Sequence, residues 1–188
     1  MPLSRALCLT VALLVAGCST PRIEQDYDVS RDFAAYRSWS WQAPAVRYSP
    51  DDPRVASDLT EQRIRSAVSD QLDRHGLRPA AGGASGDLKV QAWLIVDDRQ
   101  QQVNTNYGGY WGGYWGSPWA GPAYTETRTV DYRVATLQLD LLDGRDGKLV
   151  WRASAEQVLR PGQAPAQRDA EIRQTVARLL AQYPPRGR

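Results

Sequence analysis

The stretch Leu88-Lys89-Val90-Gln91-Ala92-Trp93-Leu94-Ile95-Val96 sets Leu88, Val90, Ala92, Leu94 and Val96 against Lys89, Gln91, Trp93 and Ile95 in strict alternation. A period of two places the first set on one face of a β-strand, and such a face needs a second layer to cover it. Downstream, a second strand region runs from about Thr125 to Leu142, with Val130, Tyr132 and Val134 in one phase and Leu137, Leu139 and Leu141 in the other. The change of phase predicts a bulge or break near Ala135. Asp143-Gly144-Arg145-Asp146-Gly147 supplies hairpin chemistry, and Leu149, Trp151, Ala153 and Ala155 return as the partner strand.

Helical spacing flanks this strand set on both sides. Asp58 is placed to cap a helix with Glu61 in the capping-box position, and Ile64, Ala67, Val68, Leu72 and His75 recur along one face. Gly76, Leu77 and Pro79 form a left-handed stop. A second helix carries Ile172, Val176, Leu179, Leu180 and Tyr183 and ends at Pro184-Pro185. Nearer the N-terminus, Tyr27 and Val29, then Trp39 and Trp41, alternate as one or two short strands. Pro44, Pro50 and Pro53 mark a loop after them, and Ala80 to Gly86 a flexible connector. Two helices with one apolar stripe each, beside alternating strands, predict an α+β fold. Its expected form is a two-layer sandwich: a largely antiparallel sheet of four to five strands with both helices packed on one face.

The 188 residues suit one ordinary domain. Lys and Arg number 23 against 21 Asp and Glu, so the net charge of +2 argues against a nucleic-acid partner. Two cysteines and one histidine exclude a disulfide framework and a zinc site built from several Cys and His ligands. No metal and no cofactor is expected.

The N-terminus reads as an address. Arg5 closes a short positive region, Ala6 to Val15 is an apolar run too short to span a bilayer, and Val15-Ala16-Gly17-Cys18 has the form of a bacterial lipobox. Residues 1–17 are then a lipoprotein signal peptide cleaved between Gly17 and Cys18. Cys18 is the lipidation site, and residues 18–25 form a lipidated tether. Residues 26–185 make a single periplasmic domain. Loss of Arg5 with the signal lowers the formal charge from +2 to +1. Several acyl chains on Cys18 give stable anchoring where one is marginal. Ser19 follows the cysteine, and in Gram-negative lipoproteins the absence of Asp there favours the outer membrane over inner-membrane retention. The expected membrane partner is reached through this lipid.

Between the two central strands, residues 104–124 hold a four-residue repeat in three copies: Gly108-Gly109-Tyr110-Trp111, Gly112-Gly113-Tyr114-Trp115 and Gly116-Ser117-Pro118-Trp119. So many glycines disfavour a helix, which leaves a long loop or irregular ribbon. Tyr110, Trp111, Tyr114, Trp115 and Trp119 are the candidate contact residues. Their rings can stack on sugars, settle at a membrane interface or anchor a protein partner. The plain alternative is a low-complexity insertion with no ligand.

Catalytic signals are weak. His75 falls at a helix end, where a cation meets the dipole favourably. Gly82-Gly83-Ala84-Ser85-Gly86 lacks the nucleophile-elbow spacing, and Gly144 to Lys148 lacks that of a P-loop. Asp97, Asp98, Asp140, Asp143 and Asp146 could in principle form acid–base pairs or bind calcium, but Asp97 and Asp98 point to opposite faces of a strand, Asp143 with Asp146 suits a turn, and the alternating ligands and terminal glutamate of a calcium loop are missing. No catalytic residue is assigned, and the expected role is non-enzymatic: an outer-membrane-anchored interaction or structural module of unassigned role, with an envelope protein or glycan as candidate partner. The alternative is binding of an envelope glycan, peptidoglycan or lipopolysaccharide, through the aromatic loop.

Five stretches together carry a family resemblance: Asp26 to Trp41 (DYDVSRDFAAYRSWSW), Arg63 to Leu77 (RIRSAVSDQLDRHGL), Gly86 to Leu94 (GDLKVQAWL), Ala135 to Trp151 (ATLQLDLLDGRDGKLVW) and Arg168 to Pro185 (RDAEIRQTVARLLAQYPP). In this order they resemble the bacterial lipoproteins of the domain of unknown function 4136 family. The resemblance implies an envelope lipoprotein with a compact α+β domain, and similar members often carry a Gly/Tyr/Trp-rich insertion between the same strands. It implies no catalytic residue.

Overall fold

The computed structural model describes residues 23–53, 55–107 and 124–185. Among them, strand β1 spans Ile23–Tyr27, β2 Ser38–Ser49, β3 Arg78–Pro79, β4 Leu88–Tyr107, β5 Tyr124–Asp143 and β6 Leu149–Val158. Helix α1 spans Asp58–Arg74 and α2 Pro165–Leu180. The strands form one sheet in the order β1-β6-β5-β4-β2-β3.

The α+β class holds, but the sheet is six-stranded and mixed where four to five largely antiparallel strands were expected. β4, β5, β6 and β1 are antiparallel neighbours, whereas β2 runs parallel to β4 and to β3. The reason lies in chain order. Helix α1 separates β2 from β4, so the chain is carried back to its starting end and the next strand must run the same way.

Alternation then sorts the two faces. Leu88, Val90, Leu139, Leu141 and Trp151 project to one side, and there they share a core with Ile64, Val68 and Leu72 of α1 and Val176, Leu179 and Leu180 of α2. Ile64, Ala67, Val68 and Leu72, and Ile172, Val176, Leu179 and Leu180, are buried as the spacing requires, but His75 is the exposed C-cap of α1, and α2 ends at Leu180, so buried Tyr183 lies just beyond it. Full burial of each such side chain contributes about 1.5–3 kcal/mol, which makes this single cluster the main source of stability.

Several local expectations are corrected. The cap of α1 is Ser57, one residue before Asp58, and its side chain makes no capping hydrogen bond. Val29 lies in a turn after β1 and is 84% exposed. The stretch holding Pro44 belongs to β2: the pairing with β4 slips between Trp41 and Val46, and the bulge takes the proline out of the ladder. No bulge falls near Ala135. β4 and β5 pair without a slip from Leu88↔Asp143 to Tyr107↔Tyr124, so residues 104–107 and 124 belong to strands and not to a loop. The apolar phase changes there without a bulge because Val134 and Ala135, on opposite faces of the unbroken strand, are both buried.

The C-terminus of α1 does follow the sequence. Gly76 adopts φ 81°, the Leu77 N–H donates to the Leu72 carbonyl at 3.0 Å, and buried Leu77 closes the motif.

One end of the sheet is locked. The Asp87 carboxylate accepts from the backbone N–H groups of Arg37 (3.0 Å) and Ser38 (2.9 Å) and from the Ser38 hydroxyl (2.9 Å). Asp143, in the β5–β6 turn, accepts from the Tyr36 hydroxyl at 3.0 Å and from Arg31 at 3.1 Å, while Arg31 also reaches Asp146 at 2.7 Å. Phe33 adds edge-on contacts with Tyr27, Tyr36 and Tyr183.

Candidate functional site

The opposite end of the sheet is open, and three observations define it. First, β2 stops pairing at Ser49↔Ile95 and β6 stops at Val158↔Val134, while β4 and β5 continue together to Tyr107↔Tyr124. Ten residues beyond Asp97, at about 3.3 Å each, make a two-stranded ribbon about 33 Å long. Among the described residues neither outer edge of this ribbon carries a further strand. Second, the ribbon is polar. Asp98 pairs with Arg133 at 3.2 Å, Arg99 grips Glu156 through two bonds of 3.1 and 2.8 Å, and the Thr125 hydroxyl meets Asn106 Oδ1 at 2.9 Å. Its exposed apolar groups are Val103 and Val130, at 42% and 41% exposure.

Third, a groove of about 1150 Å³ opens at the ribbon's base. Leu94, Val96, Ala135 and Leu137 form its floor, Ile64 of α1 and Ile172 of α2 its walls, and Arg133, Arg168 and Glu171 part of its rim. Both helices begin here, so their positive dipole ends face this side. The groove offers apolar surface with a charged rim. Among the described residues that line it there is neither histidine nor cysteine.

The sequence candidates distribute as follows. Gly17, Cys18, Tyr110, Trp111, Tyr114, Trp115 and Trp119 lie outside the described residues. His75 is the C-cap of α1, packed edge-on to Tyr183 at 6.2 Å, and desolvation pushes its pKa below the ordinary value. Asp97 and Asp98 point to opposite faces, as alternation demands. Asp140 is buried and grips Arg152 through bonds of 2.6 and 2.7 Å. Asp143 caps its own turn, accepting from the Arg145 N–H at 2.8 Å, and backbone and Tyr36 hydrogen bonds to the carboxylate hold its pKa below the usual range. Asp98, with Arg133, and Asp140 and Asp143 are therefore engaged in structural contacts. Among the described residues no group of three or more His, Cys, Asp or Glu side chains could hold a metal ion.

Sequence reasoning missed the groove and the free ribbon edges. A groove assembled from four elements leaves no local signal. The edge had one: Gln100-Gln101-Gln102-Val103-Asn104-Thr105-Asn106-Tyr107 is a strand with no charge and no proline.

The fold and its open end define a class: a mixed six-stranded sheet with two helices, extended by a long ribbon. The chain belongs to the family of the domain of unknown function DUF4136, whose match covers residues 23–185. A solved DUF4136 family protein from Bacteroides thetaiotaomicron is similar at 18% identity, with a TM-score of 0.51 over 89% of this chain and 97% of that one. A PDZ domain protein from Parabacteroides distasonis gives 15% identity and a TM-score of 0.55 over 89% of this chain. The matched part is 37% of that longer protein. At these identities the likeness is one of fold. No curated protein matches the sequence significantly.

Proposed function

We propose that this chain is a non-enzymatic lipoprotein of the bacterial envelope, anchored to the outer membrane through Cys18, whose periplasmic domain presents residues 108–123 as a contact surface. The observation that carries the reading is the ribbon. A sheet that needed only to cover its helices would end near Val96 and Val134, yet β4 and β5 continue about ten residues further and place the aromatic repeat between their far ends. The lipobox supplies the anchor. Ile23 pairs with Ala155 while Tyr27 pairs with Trp151, so the N-terminal segment joins the sheet at the same open end from which the ribbon leaves.

The test is co-sedimentation with purified peptidoglycan, together with recovery of envelope proteins, for the parent and a Trp111→Ala, Trp115→Ala, Trp119→Ala variant. Envelope proteins retained by the parent and lost by the variant support the interaction module. Loss of peptidoglycan retention alone supports the glycan alternative. Equal behaviour of parent and variant in both assays overturns the assigned contact surface. Metabolic labelling with a palmitate analogue, abolished by Cys18→Ala, tests the anchor.

A further inference from the structure

We infer that two copies of this chain pair through the free edge of β4, antiparallel, with Val103 opposite its own symmetry mate. An exposed strand edge is a template for another strand, and folded proteins usually blunt it with charge, proline or a bulge. The two edges of this ribbon differ in that respect. Along β5, Glu126, Arg128, Asp131 and Arg133 are all exposed. Along β4, residues 100–107 include no charged residue, no proline and no glycine, and residues 100–106 are all exposed. The pairing of β4 with β5 is unbroken over this span, so no bulge twists the edge away. Among the described residues nothing covers it.

Self-pairing suits this edge better than the alternatives. With Val103 facing Val103, Gln101 meets Thr105, Gln102 meets Asn104 and Gln100 meets Asn106, so no like charges are opposed. The two half-exposed valines shield one another, and the amide side chains can hydrogen-bond across the seam. Asp97 and Asp98 fall outside the paired span. Pairing through β5 would instead bring its four charged residues to the seam. The β4 pairing is isologous and closes with two-fold symmetry, and it leaves the charged β5 edges as the outer rims of a four-stranded sheet. A lone two-stranded ribbon is only marginally stable in water, and the two added strands remove that weakness. This inference concerns the strand edge alone and does not depend on what residues 108–123 contact.

The test uses the full chain in detergent. Val103→Cys places two thiols at the centre of the seam. Directly opposed residues there have Cα atoms about 4.5–5.5 Å apart, within reach of a disulfide. Mild oxidation is expected to yield a covalent dimer absent from the parent. Gln101→Cys mixed with Thr105→Cys is expected to cross-link more efficiently than either alone, which fixes the register. Val103→Lys sets two ammonium groups face to face and is expected to weaken the dimer at least tenfold by light scattering, whereas Thr127→Lys on β5 leaves it intact. Matching far-UV spectra show that the variants are folded. A parent that stays monomeric at every concentration overturns the inference. So does a dimer that neither cross-links through Val103→Cys nor responds to Val103→Lys.

Discussion

A single added methyl at Gly86 is expected to destabilise the domain severely, although the sequence around it reads as a flexible connector. The Cβ of an alanine there would meet the Trp39 backbone, with its N, Cα and carbonyl carbon as nearest neighbours, none of which can rotate aside. Relief requires β2 to move off the start of β4. That movement strains the Gly86 N–H bond to the Ser40 hydroxyl at 3.1 Å and the three bonds that Asp87 accepts from Arg37 and Ser38. Overpacking costs about 1–3 kcal/mol, and two to four weakened hydrogen bonds add about 1 kcal/mol each, giving about 3–7 kcal/mol in all. At about 2–4 °C per kcal/mol for a domain of this size, Tm should fall by about 6–28 °C. Gly83→Ala is the internal control. Its φ is +75°, but nothing lies within 4 Å of the added carbon, so only the left-handed conformation is penalised, at about 1–2 kcal/mol. Thermal and urea unfolding followed by far-UV circular dichroism compares the two. A Gly86→Ala variant that is as stable as Gly83→Ala would refute the close approach of β2 to β4 at this end.

Three further outcomes follow from the same structure. Leu139→Ala removes a fully buried side chain from the centre of the core and should cost about 2–5 kcal/mol by urea titration, with the spread set by how far the site collapses. Hydrogen bonds from the Arg37 N–H and from Ser38 hold the Asp87 pKa below its ordinary value. Its stabilisation is therefore fully present above the unfolded value of about 3.9 and is lost as pH falls through the lower folded value. Asp87→Asn should be less stable than the parent at neutral pH, and unfolding titrations at decreasing pH should show that gap closing below about pH 4. In dilute protein, amides of residues 97–107 should exchange with deuterium faster than those of residues 88–96, because β4 has two strand neighbours in the first half and one in the second.

The legible part of the fold was the part with local periodicity. Ile64, Val68 and Leu72, and Val176, Leu179 and Leu180, announce their helices by spacing alone, and Leu88 to Val96 announces a strand. Gly76 before a buried leucine announces the helix stop. Strand direction was not legible from the strands themselves, since β2 reads the same whichever way it runs, and only the intervening helix decides that it lies parallel to β4. The phase change in β5 misled for a related reason. Periodicity reports which side chains are buried, and with Val134 and Ala135 buried on opposite faces the phase changes without a bulge. The structural use of Arg31, Asp143 and Asp146 was also hidden, because 112 residues separate Arg31 from Asp143. Of the proposed contact residues the sequence showed composition only, and the ribbon that carries them came from pairing register.

The sheet is polarised, and that polarity is a physical argument for where function resides. At the closed end, where β4 begins and β5 ends, backbone donors, buried carboxylates and an aromatic cluster are matched to one another, and a glycine is required where strands cross closely. Burial pushes the Tyr36 hydroxyl up to about 12, and it donates to Asp143, so this contact stays intact across the neutral range. These polar groups are thus matched to one another within the fold. At the open end the balance is reversed: among the described residues the backbone edges lack strand partners, Val103 and Val130 remain half-exposed, and a groove with an apolar floor lies between the starts of both helices. Unsatisfied strand edges and exposed apolar groups are costly unless something covers them. On the proposed reading, a chain that fixes one end so firmly and extends the other by about 33 Å holds that second end in place for contact with something outside its own core.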